Sequence, residues 1–267
     1  MVRSIKKCGV LQLYYPYSVQ LYENKFPGRD KDDCINDSKK QCSSRNAFQA
    51  ERKHHWWWTA HYVFEKFDIS SDFGGPVVFL EEYHYIAPDF IYMLRYMRRA
   101  FYFFSSVELV TFGRPGSVVL SNFNILYMQA WKPLDSFGLA FNRTFWQHIT
   151  ANAMHFCTYN DYDWSYSLYN VMNHFQRGYA EMVTCAAQRV FSVSGAENLR
   201  AVQLRLNRTF KYLFPNEVKL VNLWGVNGAA TPAELAPDAV RARGGWDDIR
   251  DQLFCYDIMG SDTTTTV

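Results

Sequence analysis

Two patterns of hydrophobic and polar positions alternate along the chain, and each predicts one kind of secondary structure. Apolar residues recur with helical spacing in several long segments, whereas short apolar runs bounded by polar residues are typical of buried strands. The predicted helices cover residues 48–67, 88–104, 142–155, 161–175 and 196–214. The predicted strands cover residues 10–15, 77–82, 107–112, 181–185 and 189–193. Strands that alternate with helices indicate an α/β fold.

The first three predicted strands are expected to share one mixed sheet, with the helices at 48–67 and 88–104 packed against it. Residues 16–46 are rich in Lys, Asp, Ser, Gly and Pro, and residues 225–245 are rich in Ala, Gly and Pro, so both read as loops. The Thr-rich end is expected to be a disordered tail, over residues 256–267.

Composition narrows the class of protein. The chain has 267 residues, enough for one large domain or two small ones, and 48% of them are hydrophobic, as in an ordinary globular protein. The formal net charge is only +2 and the basic residues are dispersed, which argues against a nucleic-acid partner. No apolar run approaches the roughly 20 residues that span a bilayer, so no membrane anchor is expected within this sequence.

Cysteines and glycosylation sequons bear on the compartment. The six cysteines are Cys8, Cys34, Cys42, Cys157, Cys185 and Cys255. None forms a C-x-x-C pair, so a zinc site is not expected, and Cys34 with Cys42 could staple the first long loop. Sequons at Asn36, Asn142 and Asn207 modestly favour a lumenal location.

The segment KHHWWW, residues 53–58, has two interpretations. In the first, Lys53, His54 and His55 face an anionic group while the tryptophans form a wall that stacks on sugar. In the second, the segment is a helix with aromatic packing and a polar start. Neighbouring residues point about 100° apart on a helix, so three consecutive tryptophans cannot share one face. Spacing alone slightly favours the structural interpretation.

Three other polar segments could carry chemistry. Residues 155–170 place Asp161 and Asp163 at a helix start, where acids offset the helix dipole, although an aspartate base beside a polyhydroxyl ligand is the alternative. Residues 242–255 place Gly-Gly before Trp246, which favours a structural C-terminal cap over a phosphate loop. The apolar run at 77–80 leads into Glu81 and Glu82, an arrangement that often holds a metal in nucleotide-dependent enzymes.

Together these segments resemble one family. YYPYSVQLYENKFPG, KHHWWWTAHYVFEKF, VVFLEEYHYIAPDF, FCTYNDYDWSYSLY and GGWDDIRDQLFC stand in the order found in N-acetylglucosaminyltransferase II. The resemblance implies an inverting, manganese-dependent transferase of GT-A fold, anchored in the Golgi membrane. Such an enzyme moves GlcNAc from UDP-GlcNAc, in β-1,2 linkage, to the α-1,6-arm mannose of an N-glycan acceptor. It also implies a partial GT-A domain over residues 8–255, without the anchor, the stem and the first part of the nucleotide-binding half.

The resemblance also assigns residues. It gives Lys53, His54 and His55 a role in substrate binding. It implies disulfides between Cys34 and Cys42 and between Cys157 and Cys255, which would leave Cys8 and Cys185 free. A further cysteine pair of the family is absent here, because its two positions are Asn152 and Phe175.

Three family positions carry other residues here. The two metal-ligand positions, Asp and His in the family, are Tyr83 and Ser192, and the position of the catalytic base is Ser165. Glu82 is a surrogate candidate for the metal and Asp163 for the base. One reading is therefore an active transferase with substitute groups. Another is a catalytically impaired pseudo-enzyme that binds glycans or a partner protein, and a third is an incomplete gene model of an active enzyme.

Overall fold

A computed structural model describes residues 9–30, 33, 45–67, 74–113, 122–193, 195–223 and 242–260. The helices are α1 (Ala47–His61), α2 (Phe90–Arg98), α3 (Ala100–Phe103), α4 (Arg143–Ala151), α5 (Ala153–Cys157), α6 (Trp164–Asn173), α7 (Gly195–Thr209) and α8 (Ile249–Gly260). The strands are β1 (Val77–Val78), β2 (His84–Ile86), β3 (Val107–Thr111), β4 (Ile125–Ala130), β5 (Ala140–Phe141), β6 (Glu181–Cys185), β7 (Val190–Ser192) and β8 (Lys219–Asn222). A π-helical turn, Tyr62–Lys66, extends α1, and 3-10 turns occupy Pro133–Asp135 and Phe210–Tyr212.

Six strands form one mixed sheet in the order β1-β5-β3-β6-β4-β8. The pairs β3–β6 and β4–β8 are parallel, and the other three pairs are antiparallel. Strands β2 and β7 form a separate antiparallel ribbon. The predicted α/β fold with a mixed sheet is therefore confirmed.

Both faces of the sheet are covered by helices. Leu109 and Met182 point to one face, where α1, α4, α5, α6 and α8 contribute a core rich in aromatic rings. Their chain neighbours Val110 and Val183 point to the opposite face and pack against α2 and α3. Alternation of side chains along a strand explains this division. The helices predicted at 48–67 and 88–104 thus pack against the sheet, on opposite faces.

Two strand predictions need correction. Residues 10–15 form no strand, and Val10 and Leu11 are exposed, because this segment has no strand to pair with in the described chain. The strand predicted over 77–82 stops at Val78, because its partner β5 is only two residues long. The chain then turns through Glu82 and Tyr83 before β2 begins.

Helix boundaries also differ from the prediction. The helix predicted over 88–104 is interrupted at Arg99, and the one over 142–155 is interrupted at Asn152. Residues 256–260 are not a disordered tail, since they continue α8, where Ile258 is buried. Residues 261–267 lie outside the described residues, as do residues 31–32 and 34–44 of the loop predicted over 16–46 and residues 225–241 of the loop predicted over 225–245. Within the described part of the chain, no helix is both long and apolar enough to cross a bilayer.

One predicted disulfide is present. Cys157 and Cys255 are bridged, with their Cα atoms 5.6 Å apart and a sequence separation of 98. Cys185 is free and buried, as expected. Cys8, Cys34 and Cys42 lie outside the described residues.

Candidate functional site

A cleft of about 670 Å³ opens where three parts of the fold meet. These are the turn after β1, the N-terminus of α6 and the segment that leads into α8, and the first half of α1 and residues 133–137 complete the lining. The polar and aromatic residues that matter below are Arg52, Glu81, Tyr83, Asp161, Asp163, Ser165, Tyr166 and Arg243. The cleft therefore brings together Tyr83 and Ser165, two positions to which the resemblance assigns a metal ligand and the base.

Two aspartates and one arginine form the centre of the cleft. Asp161 accepts hydrogen bonds from the Arg243 guanidinium at 3.1 Å through both oxygens. The same guanidinium donates to Asp163 at 2.9 Å and lies 4.2 Å from the ring centre of Tyr166. The Asp161 side chain is 2% exposed, whereas that of Asp163 is 38% exposed. Asp163 is thus the member of the pair that a ligand can reach.

Asp163 also begins α6. One carboxylate oxygen of Asp163 accepts from the backbone N–H of Ser165 at 2.9 Å and from its hydroxyl at 2.7 Å. This is the N-cap arrangement that aspartate favours, and it explains why the helix predicted from residue 161 begins at Trp164. The Ser165 hydroxyl therefore donates to Asp163. Asp163 lies two residues before position 165, to which the resemblance assigns the base.

Glycine is required where the α8 segment closes over the cleft. Gly245 has φ of +96°, and a Cβ atom there would lie 2.4 Å from the Tyr162 ring. Any other residue would both strain the backbone and collide with that ring. The Gly-Gly pair, interpreted from sequence as part of a structural cap, thus serves the close approach of this segment to the cleft.

Lys53 and His54 do not line the cleft; they lie beneath the backbone that forms it. Both are buried. The Lys53 ammonium nitrogen lies 3.0 Å from the carbonyl oxygens of Tyr159 and Asp161 and 3.9 Å from the ring centre of Trp246. Burial lowers the pKa of Lys53 well below its usual value. These contacts fix the backbone that carries the two cleft aspartates.

His54 ties α1 to α8. Its Nε2 lies 3.1 Å from the backbone carbonyl oxygen of Asp251, so Nε2 carries the proton and donates. Burial lowers the pKa of His54 to about 3, the charges of Lys53 and Arg45 lower it further, and the hydrogen bond to Asp251 offsets only part of the effect. His54 is therefore neutral at physiological pH.

The low pKa of His54 makes stability depend on pH. The unfolded chain binds a proton at this residue near pH 6.5, whereas the folded chain does not, so stability is complete above about pH 6.5 and declines as the pH falls towards 3. We expect the free energy of unfolding to drop by about 2 kcal/mol from pH 7 to pH 5 through this residue. Urea titrations at both pH values test this. Glutamine keeps a hydrogen-bond donor but does not titrate, so the His54→Gln variant should lose much less stability between pH 7 and pH 5. If the variant lost as much stability as the unmodified protein, the decrease would not come from His54.

Tyr83 and Ser192, the two positions to which the resemblance assigns metal ligands, are neighbours. Ser192 pairs with His84 across the β2–β7 ribbon, and the backbone N–H of Val193 donates to the Tyr83 carbonyl at 2.8 Å. The Tyr83 hydroxyl is hydrogen-bonded to Glu81, and burial together with this carboxylate raises the pKa of the phenol. Tyr83 therefore stays protonated.

The residues at these positions do not fit a manganese site. A neutral phenol and a serine hydroxyl are weak ligands for a hard divalent cation, which prefers carboxylates or imidazole. Within the described residues, no group of three or more His, Cys, Asp or Glu side chains is arranged to hold a metal. Glu82, the surrogate candidate, is exposed and lines a smaller groove of about 280 Å³ together with His55. It does not line the main cleft.

Sequence reasoning missed Arg52, Glu81 and Arg243 as cleft residues. Arg52 lies directly before the KHHWWW segment. Glu81 stands out in the sequence only as part of a pair of carboxylates with Glu82. Arg243 lies 80 residues from Asp163 in sequence. The implied Cys157–Cys255 bridge was the available signal, because it predicts that the segments around residues 161 and 243 meet.

Comparisons with known proteins identify one family. The family model of N-acetylglucosaminyltransferase II matches residues 1–255. A Rattus norvegicus protein named alpha-1,6-mannosyl-glycoprotein 2-beta-N-acetylglucosaminyltransferase is 30% identical over 96% of this chain and 63% of its own length. Proteins of the same name from Homo sapiens and Arabidopsis thaliana are 28% and 26% identical, over 96% of this chain and 62% and 64% of their lengths.

The chain therefore spans slightly less than two thirds of the length of these relatives. The match nevertheless covers both sides of the cleft, since it extends from the first residue to Cys255. The chain belongs to the N-acetylglucosaminyltransferase II family.

Proposed function

We propose that this protein transfers GlcNAc from UDP-GlcNAc, in β-1,2 linkage, to the α-1,6-arm mannose of an N-glycan. The observation that carries this proposal is the family match over residues 1–255, which includes every residue of the cleft. The mixed sheet covered by helices is compatible with a GT-A domain extending to residue 255. N-glycan processing by this family favours the Golgi as the location.

We assign the role of general base to Asp163. Among the described residues three carboxylates line the cleft, and each has a partner: Asp161 and Asp163 are bonded to Arg243, and Glu81 to Tyr83. Accessibility separates the two aspartates, because the side chain of Asp161 is only 2% exposed and that of Asp163 is 38% exposed. Asp163 is partly exposed and borders the open cleft. In the proposed step, Asp163 takes the proton of the mannose 2-hydroxyl as that oxygen bonds to the anomeric carbon of GlcNAc. The bond to UDP breaks, and its electron pair leaves with the diphosphate.

The departing diphosphate needs a positive counter-charge, and we assign this role to Arg52. Arg52 is exposed and lines both the cleft and the adjoining groove. Its charge is close enough to Tyr83 to oppose the rise in the pKa of that phenol. A guanidinium binds phosphate oxygens in bidentate fashion, so it can neutralise charge where Tyr83 replaces a metal ligand.

Arg52→Gln should lower the transfer rate by about 10²-fold, because a fixed charge that stabilises a developing anion contributes on this scale. Arg52→Lys should retain more of the rate, since it keeps the charge but not the bidentate geometry. Arg98→Gln, an exposed arginine on α2 outside the cleft, is the matched control and should change nothing. Equal rates for Arg52→Gln and the control would remove Arg52 from the mechanism.

A second candidate function is glycan binding without turnover. The specific observation in its favour is that Tyr83, Ser192 and Ser165 all lack the group that the family uses at those positions. Mass spectrometry of a mannose-terminated biantennary acceptor incubated with UDP-GlcNAc separates the two functions. Addition of one N-acetylhexosamine supports transfer, whereas acceptor binding with no product supports the second function.

A further inference from the structure

A second cavity, of about 590 Å³, lies between the start of β4 and the segment that follows the 3-10 turn Phe210–Tyr212. It shares no lining residue with the cleft. Strand β8 follows this cavity in the chain and forms one edge of the sheet. Strand β1 precedes the turn that lines the cleft and forms the other edge. The three aromatic and three amide side chains of its lining are Phe123, Tyr212, Phe214, Asn122, Asn124 and Asn216.

A buried ion pair holds the two walls of this cavity together. Arg189 and Asp89 are both buried and lie 2.9 Å apart. Arg189 donates a further hydrogen bond to the Phe123 carbonyl at 2.8 Å, and Asp89 accepts one from the backbone N–H of Phe214 at 3.3 Å. Arg189 is thereby bonded to the wall that contains Phe123, and Asp89 to the wall that contains Phe214. The cavity is therefore pre-formed, as ligand sites usually are.

The walls also contain strained backbone. Asn122 has φ of +67° and Phe214 has φ of +55°, and these are the two non-glycine residues with positive φ in the part of the chain described. This conformation costs on the order of 1–2 kcal/mol for a residue such as Phe214 and less for asparagine, which adopts it more readily, and such strain is concentrated at binding sites. Both strained residues line the same cavity.

The chemistry of the lining matches a sugar. The rings of Phe123 and Tyr212 lie almost parallel, with an interplanar angle of 19° and centroids 5.7 Å apart, and Tyr212 is 50% exposed. The Lys211 ammonium lies 4.9 Å from the centre of the Tyr212 ring, so a sugar that stacks on this ring takes the place of the flexible Lys211 side chain. Exposed aromatic faces accept the C–H face of a pyranose, while side-chain amides donate to and accept from its hydroxyls. Lys211 and Glu217 contribute one charge of each sign, which favours a neutral ligand over an anion.

We propose that this cavity is a second saccharide-binding site, which takes a neutral oligosaccharide and performs no chemistry. It lies apart from the cleft, so it can hold a glycan whether or not the cleft turns over. The proposal therefore stands or falls independently of transferase activity.

Calorimetric titration with two neutral trisaccharides, chitotriose and mannotriose, tests the site. We expect at least one of them to bind, and Tyr212→Ala to weaken that binding at least tenfold. Tyr212→Trp retains an aromatic face and should retain binding. Tyr102→Ala is the matched control, because Tyr102 is 70% exposed but lies on α3, outside the cavity. Asn216→Ala, at an exposed amide, removes a hydrogen-bonding group without altering the rings and should also weaken binding.

Tyr166→Ala distinguishes this cavity from the cleft, since Tyr166 lines only the latter. A tenfold loss in Tyr212→Ala supports the proposal whatever Tyr166→Ala does. Three results would overturn it: neither trisaccharide binds at millimolar concentration, Tyr166→Ala removes all binding while Tyr212→Ala has no effect, or Tyr212→Ala weakens binding no more than Tyr102→Ala does.

Discussion

Replacing Cys157 and Cys255 together by serine should lower the free energy of unfolding by about 4 kcal/mol. The bridge closes a loop of 98 residues, and in the chain-entropy model a loop of about 100 residues contributes roughly 4.7 kcal/mol. Both sulfurs are also buried, so the serine hydroxyls would enter an apolar core. Urea-induced unfolding followed by tryptophan fluorescence measures the change.

Cys185→Ala is the matched control for this experiment. Its thiol is buried beside Met97 but is not bridged, so its loss should cost only about 1 kcal/mol. A double serine variant as stable as this control would show that the bridge does not stabilise the fold. Beyond stability, the bridge joins α5 to α8, and the Trp246 indole donates to the Cys157 carbonyl at 2.7 Å. Its loss should therefore loosen the cleft as well.

Asp163→Asn should lower the transfer rate by about 10²- to 10⁴-fold, which is the usual contribution of a positioned general base. Asparagine caps a helix about as well as aspartate, so α6 should still begin at Trp164 and the fold should be retained. The substitution removes only the basic oxygen and the charge opposite Arg243. Initial rates at saturating donor and acceptor give the comparison.

Ser165→Ala is the companion variant for Asp163→Asn. Ser165 occupies the family base position, but its hydroxyl only donates to Asp163 at 2.7 Å. We expect Ser165→Ala to change the rate less than tenfold, because a serine hydroxyl is too weak a base to contribute on the scale of a carboxylate. If Ser165→Ala lost as much activity as Asp163→Asn, or if Asp163→Asn lost none, the base would have to be assigned elsewhere.

The elements that follow from local patterns were predictable from the sequence. The strand at Glu181–Cys185 and the helix that begins at Ala47 have periodicity and flanking residues that leave little ambiguity. Residues 10–15 have the same apolar character as a strand, yet pairing depends on a partner, and no local pattern reports whether one is present. The early end of β1 has the same origin, since its length is set by β5.

The candidate site was predictable only in part, for a similar reason. Asp163 and Tyr83 stand out because they lie in segments with a strong family pattern. Arg243 reaches Asp161 from 82 residues away, and such a contact depends on the folded position of the segment before α8. Spacing slightly favours the structural interpretation of KHHWWW, and the burial of Lys53 and His54 agrees with it, although exposure cannot be read from the letters alone. Their basic groups point at backbone carbonyls and not at the cleft.

The central claim is that this cleft transfers GlcNAc with Asp163 as base and Arg52 as counter-charge, without a manganese ion at Tyr83 and Ser192. The most direct test is the initial rate of GlcNAc transfer to a mannose-terminated acceptor, measured in excess EDTA and again with added manganese chloride. We predict that product forms in both conditions, at rates that agree within about twofold. No product in either condition, or product that appears only when manganese is added, would contradict the claim.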